Sequence, residues 1–139
     1  MVILIMGLPG SGKTTLAQEL AVKLCAHYFN ADQVREQFND WDFSPKGRIR
    51  QAERMRKLAD LSSAYYVIVD MVCPLEEMRT IVNPDFVVWV DTIKKGRYED
   101  TNRMFQPPAK YHYRVPQKNY QFQSEVIKLL LENKLAVDL

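Results

Sequence analysis

Two periods run through the pattern of apolar and polar positions. Val2 to Met6 (VILIM), Tyr65 to Val69 (YYVIV) and Phe86 to Val90 (FVVWV) are short unbroken apolar runs. Runs of that length fit strands buried on both faces. Ala26 to Phe29 (AHYF) reads as a further short strand, and Tyr111 to Val115 (YHYRV) alternates like an edge strand. Between these segments the spacing changes to that of helices. Thr14 to Leu24 carries Leu16, Leu20 and Leu24 on one stripe, with Ala17 and Ala21 beside it. Asp32 opens a helix that runs to about Phe38, and Asn39-Asp40-Trp41-Asp42 breaks it. Ser44-Pro45 is the cap and first turn of a third helix reaching about Ser62. Its apolar stripe is Ile49, Ala52, Met55 and Ala59, and its basic stripe is Arg50, Arg54 and Lys57. A short helix from Leu75 to about Thr80 follows Pro74, and Asn83-Pro84 is a turn. Lys94 to about Met104 is charged and reads as helical, with Pro107-Pro108 as the stop. Gln121 to Leu131 closes the pattern, with Phe122, Val126, Leu129 and Leu130 expected to face inward.

Strands that alternate with helices predict the α/β class: a five-stranded, mostly parallel sheet with right-handed crossovers and helices on both faces. Ligands in such sheets collect at the carboxyl ends of the strands. Those ends are followed by residues 7–15, Asp32, Asp70 and Asp91, so positions far apart in sequence are expected to face one cleft.

The segment after the first strand, MGLPGSGKTT from Met6 to Thr15, fills the pattern G-x-x-x-x-G-K-[ST] with Gly7, Gly12, Lys13 and Thr14. Strand, glycine loop and helix are the context this phosphate-binding P-loop (Walker A) requires. Backbone N–H groups of Gly7, Leu8, Pro9, Gly10, Ser11, Gly12, Lys13, Thr14 and Thr15, proline excepted, and the start of the helix form a polyphosphate site. Lys13 is placed to reach the β- and γ-phosphates of ATP, and Thr14 to bind Mg²⁺.

Composition narrows the picture further. The 139 residues fit one domain, with a lid at about 94–108. A formal charge of +2 is too small to argue for nucleic acid by itself. No apolar run is long enough to span a membrane, and residues 1–6 are too short for a signal peptide. Cys25 and Cys73 have no metal-like spacing. A reducing, cytoplasmic setting is the simplest expectation.

Phosphoryl transfer needs positioning, a metal and positive charge on the moving phosphate. Asp32 or Asp70 can hold Mg²⁺ through water or accept the proton of an attacking hydroxyl. Arg35 shares a helix face with Asp32, and this acid–base pair suits an acceptor that carries a hydroxyl and an anionic group. The alternative role for Asp32 is a helix cap, and for Asp91 a turn cap. Arg48 stands near the expected cleft as an anion ligand. Lys94, Lys95, Arg97 and Arg103 form the lid cluster. On a continuous helix Arg97 and Arg103 point roughly two-thirds of a turn apart, so one of them is expected at the transferring phosphate. Arg103, nearer the proline turn, is assigned that catalytic role with Lys13 and Asp32. His27, His112 and Cys73 are read as structural.

These residues together resemble the adenylylsulfate (APS) kinase family of P-loop kinases, in a short form. The matching pieces are GLPGSGKTT from Gly7, NADQVR from Asn30, DFSPKGR from Asp42, Asp70 to Pro74, and Lys95-Gly96-Arg97-Tyr98. The resemblance implies an ATP- and Mg²⁺-dependent kinase that phosphorylates the 3′-hydroxyl of adenosine 5′-phosphosulfate. It also implies acceptor roles for Asp32, Arg35, Arg48 and Asp70, with Thr14 and Asp70 on the metal. The chain departs from the family at Asn30, where an Asp is usual, and at Cys73, where a serine is usual. It also departs at Phe105-Gln106-Pro107-Pro108, which replaces a G-F-T-G-like stretch. These departures lie on the acceptor side. They leave open another nucleotide, or a hydroxymethylated pyrimidine in DNA. A continuous basic groove at Arg48, Arg50 and Arg54 would favour DNA, and a closed pocket a small acceptor. A non-enzymatic nucleotide switch is weakened by Asn133-Lys134-Leu135-Ala136, which lacks the acid of a guanine-specific N-K-x-D.

Overall fold

Five strands pair in the order β2-β3-β1-β4-β5 in the computed structural model, which describes residues 1–138 and the side chains of residues 1–133. The strands are β1 (Val2–Met6), β2 (His27–Asn30), β3 (Val67–Asp70), β4 (Phe86–Val90) and β5 (Tyr113–Val115). All four pairings are parallel, β5 included, so the sheet is wholly rather than mostly parallel. The helices are α1 (Lys13–Leu24), α2 (Ala31–Phe38), α3 (Pro45–Leu61), α4 (Glu76–Val82), α5 (Glu99–Met104) and α6 (Tyr120–Asp138). Leu139 and the side chains of 134–138 lie outside the described residues, so the Lys134-Leu135-Ala136 stretch is not seen in side-chain detail.

Alternation along the central strands divides the core. Leu4 and Met6 of β1 face Val34, Ala52, Met55, Met78 and Val82 of α2, α3 and α4. Ile3 and Ile5 face Leu16, Ala17 and Leu20 of α1 and Ile127 and Leu131 of α6. Each side chain of this size removed from water contributes about 1.5–3 kcal/mol. The two layers fix the sheet, and the sheet fixes where the strand ends emerge.

Several expectations needed correction. The charged helix does not start at Lys94 but at Glu99. Gly96 lies against the P-loop, and its N–H and C=O are both taken by the Asn102 amide, at 2.8 and 3.0 Å. A backbone tied to a side chain in this way cannot form helical bonds. β3 begins at Val67 rather than Tyr65, and β5 covers only the last part of the expected run. The inward face of α6 is Gln123, Ser124, Ile127 and Leu131, whereas Phe122, Leu129 and Leu130 are exposed. Two polar partners explain that rotation. Ser124 Oγ accepts from Lys23 Nζ at 2.6 Å, and Gln123 Oε1 accepts from the Tyr113 hydroxyl. Polar side chains so satisfied can be buried.

Candidate active site

β1 ends at Met6, and the chain turns through Gly7, Gly10 and Gly12, all at positive φ, into α1. Two glycines are required by close contacts. A Cβ on Gly7 would lie 2.4 Å from the Val90 carbonyl oxygen. A Cβ on Gly12 would lie 1.7 Å from the Tyr120 hydroxyl, which itself donates to the Ser11 carbonyl at 3.3 Å. The Thr92 hydroxyl donates to that same carbonyl at 2.6 Å. The Ser11 carbonyl is thus held by two neighbours, and α1 begins with no side-chain cap on its free N–H groups. Ser11 Oγ is buried with no partner among the described residues. A loop with free N–H groups at a helix start is chemically suited to a polyphosphate.

Lys13 is buried, and its ammonium donates to the Leu8 carbonyl at 3.2 Å. Burial lowers its pKa, Asp70 and Asp32 oppose that, and Arg97 adds to it. Thr14 is exposed at the helix start, and its hydroxyl donates to Asp70 Oδ2 at 2.9 Å. The same oxygen accepts from the Tyr28 hydroxyl at 2.6 Å and from Asn30 Nδ2 at 3.0 Å. Burial and the bond to Asp70 push the Tyr28 phenol well above its ordinary range, so it remains a donor. One hydroxyl and one carboxylate fit Mg²⁺, which takes few protein ligands and completes its shell with water and phosphate oxygens. No group of three or more His, Cys, Asp or Glu among the described residues could hold a metal unaided.

Asp32 lies in the first turn of α2 and is exposed, but it is not the cap. Asn30 is, its Oδ1 accepting from the Gln33 N–H at 3.1 Å. Arg35 and Arg48 are both buried. Arg35 donates to the carbonyls of Asp40 and Asp42 at 3.0 and 3.1 Å. Arg48 Nε donates to the Phe43 carbonyl at 2.9 Å, and its Nη2 reaches Thr101 Oγ1 at 3.4 Å. Burial depresses the pKa of both guanidiniums. Both guanidiniums lie over the half-exposed Phe43 ring, Arg35 at 4.2 Å and Arg48 at 5.4 Å from its centroid. The basic stripe of α3 forms no open groove. Arg50 pairs with Asp40 and Asp42 at 2.8 and 3.1 Å, and Arg54 pairs with Asp40 at 2.9 Å and covers the Phe38 ring.

The lid arginines part company. Arg103 pairs with Asp100 at 2.9 Å, both largely exposed, while Arg97 is the one whose charge is felt by Lys13. The broken helix explains this, because Arg97 lies in the loop pressed on the P-loop and Arg103 on the outer helix. Asp91 is bound to Arg114 of β5 at 2.9 Å. His27 binds Ser62 Oγ at 2.8 Å, and the Val87 N–H meets His112 Nδ1 at 2.9 Å, so both histidines have structural partners. Cys73 is buried, and burial pushes its thiol up to about 12. Sequence reading missed Tyr28, Thr92 and Tyr120. Tyr28 alone had a signal, since it stands two residues before Asn30 and so on the same strand face.

The family model described as an AAA domain matches residues 3–102. The chain belongs to this AAA domain family. No curated protein matches the sequence significantly. Among solved structures, it is similar to the APS kinase CysC of Mycobacterium tuberculosis in complex with AMPPNP and APS. The TM-score is 0.78 at 23% identity, over 94% of this chain and 96% of that one. A cysteine-to-alanine mutant of that kinase is 26% identical, with a TM-score of 0.74 over the same shares. Shikimate kinase from Acinetobacter baumannii in complex with shikimate gives 0.66 at 19%, over 96% and 94%. A gluconokinase from Sinorhizobium meliloti gives 0.67 at 13%, over 99% and 96%. The fold is that of P-loop kinases, in an APS-kinase-like form. No helix among the described residues is long and apolar enough to cross a membrane.

Proposed function

We propose that this protein transfers the γ-phosphoryl group of ATP to a hydroxyl of a small, nucleotide-like acceptor, with adenosine 5′-phosphosulfate the first candidate. The observation that carries the reading is the glycine loop at the start of α1, with Lys13 buried in it and Thr14 hydrogen-bonded to Asp70 at 2.9 Å. An aromatic ring backed by two guanidiniums, Phe43 with Arg35 and Arg48, supports a planar, anionic acceptor. The pairing of Arg50 and Arg54 with Asp40 and Asp42 speaks against DNA.

In this reading the P-loop N–H groups and Lys13 hold the β- and γ-phosphates. Mg²⁺, when bound, supplies charge neutralisation on the phosphate oxygens. Thr14 and Asp70 are the residues that would hold it. Asp32 takes the proton of the acceptor hydroxyl as its oxygen forms the new bond to phosphorus. The bond from the γ-phosphorus to the bridging oxygen breaks, and ADP leaves. Arg97 stabilises charge on the moving group. Incubation with γ-labelled ATP against adenosine 5′-phosphosulfate, other nucleotides, shikimate, gluconate and hydroxymethylated DNA tests this. Label on a nucleotide-like acceptor is expected. Label only on a sugar acid, a carbocyclic acid or DNA refutes the acceptor assignment, and label on none refutes the kinase reading.

A further inference from the structure

Four side chains from three elements meet at one carboxylate oxygen. Asp70 Oδ2, at the end of β3, accepts from Tyr28 at 2.6 Å, Thr14 at 2.9 Å and Asn30 at 3.0 Å. The Asn30 amide also lies 3.3 Å from both the Thr14 and the Tyr28 hydroxyls. The sheet makes this meeting possible. In the parallel β2–β3 register Tyr28 stands beside Ile68 and Asn30 beside Asp70. The period of two then puts all three polar side chains on the α1 side, where Thr14 begins its helix.

A carboxylate offers about four acceptor positions on its two oxygens. Three donors fill Oδ2, which leaves Oδ1 as the oxygen open to a metal-bound water. Thr14 uses its proton on Asp70, so its lone pairs are the part of the hydroxyl left to meet a cation. Asn30 stands where the resembled family has an acid, and its amide donates instead. Among these four side chains, the negative charge therefore rests on Asp70 alone.

We infer that Tyr28 is a positioning residue, whose phenol fixes the Thr14–Asp70 pair in the orientation that receives the divalent cation of a metal–nucleotide complex. This rests on the assignment of Thr14 and Asp70 to Mg²⁺. One carboxylate and one hydroxyl hold a bare divalent cation poorly, so the cation enters already bound to the nucleotide. Removal of a hydrogen-bond partner behind a metal ligand typically weakens metal affinity on the order of 10- to 100-fold.

The test is calorimetric binding of AMPPNP to the full chain, with and without Mg²⁺, for the parent and Tyr28→Phe. The parent should bind more tightly with Mg²⁺. Tyr28→Phe should keep the Mg²⁺-free affinity within about twofold and lose roughly tenfold of the Mg²⁺-dependent gain, with an unchanged melting temperature. An undiminished gain overturns the inference. Equal losses with and without Mg²⁺ overturn it too, because the tyrosine would then serve the P-loop as a whole. A parent with no Mg²⁺-dependent gain refutes the assignment of Thr14 and Asp70 beneath it. Asn30→Asp gives a second measurement that survives a misfolded Tyr28→Phe, since Asp can still cap α2. It should bind free Mn²⁺, read by electron paramagnetic resonance, at least several-fold more tightly than the parent. No gain there contradicts the placement of the four side chains' charge on Asp70 alone.

Discussion

In the proposed reading, the donor side and the acceptor side of the cleft are built on different principles. On the donor side, residues 7–15 form the site from their own backbone, and the neighbours only steady it from outside through Thr92 and Tyr120. On the acceptor side, irregular segments are held by buried arginines, mostly through carbonyls five to seven residues away. Arg35 holds the carbonyls of Asp40 and Asp42, and Arg48 holds that of Phe43. Arg79 holds the carbonyls of Cys73, Pro74 and Gln106, and its guanidinium lies 5.6 Å from the Phe105 ring. Loops have backbone carbonyls that no sheet or helix satisfies, and a guanidinium with five donors can satisfy several at once. An arginine count near a cleft therefore overstates the charge available to a ligand. Here much of it is engaged in holding the walls.

That contrast can be broken most sharply at Lys13. Lys13→Ala should reduce transfer on the order of 10³-fold while leaving the melting temperature close to the parent's. Retained turnover would remove the donor side from the argument. Asp32→Asn comes next, with a fall on the order of 10²-fold in kcat. Its stability should not change, because Asn30 rather than Asp32 caps α2. Matched losses of activity and melting temperature would make Asp32 a structural residue after all.

The lid sharpens the comparison with a paired measurement. Arg97→Ala should lower kcat roughly tenfold or more with little change in KM for ATP, the pattern of an interaction made in the transition state. Arg103→Ala should behave like the parent, since its partner Asp100 is a surface carboxylate. The opposite result would return the catalytic role to Arg103. For the acceptor wall, Arg79→Met should cost about 2–4 kcal/mol in chemical unfolding, since it strands several carbonyls, and change kcat only a few-fold. A loss in kcat as large as that of Lys13→Ala would mean that the wall takes part in the chemistry. The smallest effect concerns the thiols. At pH 8 an alkylating reagent should label the exposed Cys25 and leave Cys73, buried and with its thiol near 12, unmodified until the protein unfolds. Early labelling of both would show that the 73–76 segment opens in the native state.

The strands β1 and β4, the P-loop, α1 and the start of α3 were legible in the sequence because each is decided locally. Val2 to Met6 has one way to be buried, Gly12 precedes Lys13 and Thr14 as a phosphate loop requires, and Ser44 caps α3 by accepting from the Gly47 N–H. The common direction of the strand ends was legible too, because parallel strands send every carboxyl end to one side. Other features were decided only by contacts between distant segments. The face of α6 turned on Tyr113 and Lys23 satisfying Gln123 and Ser124. The broken lid turned on Gly96 reaching Pro9 and Asn102. That break sets Arg97 in the loop after Gly96 and Arg103 on the exposed helix α5, a difference that two arginines with equal local credentials did not display in the sequence. The tying of Arg35, Arg48 and Arg79 to carbonyls, most of them nearby in sequence, was hidden because it depends on the path of irregular loops. A sequence displays a guanidinium's charge, but only the folded chain displays which acceptors lie within its reach.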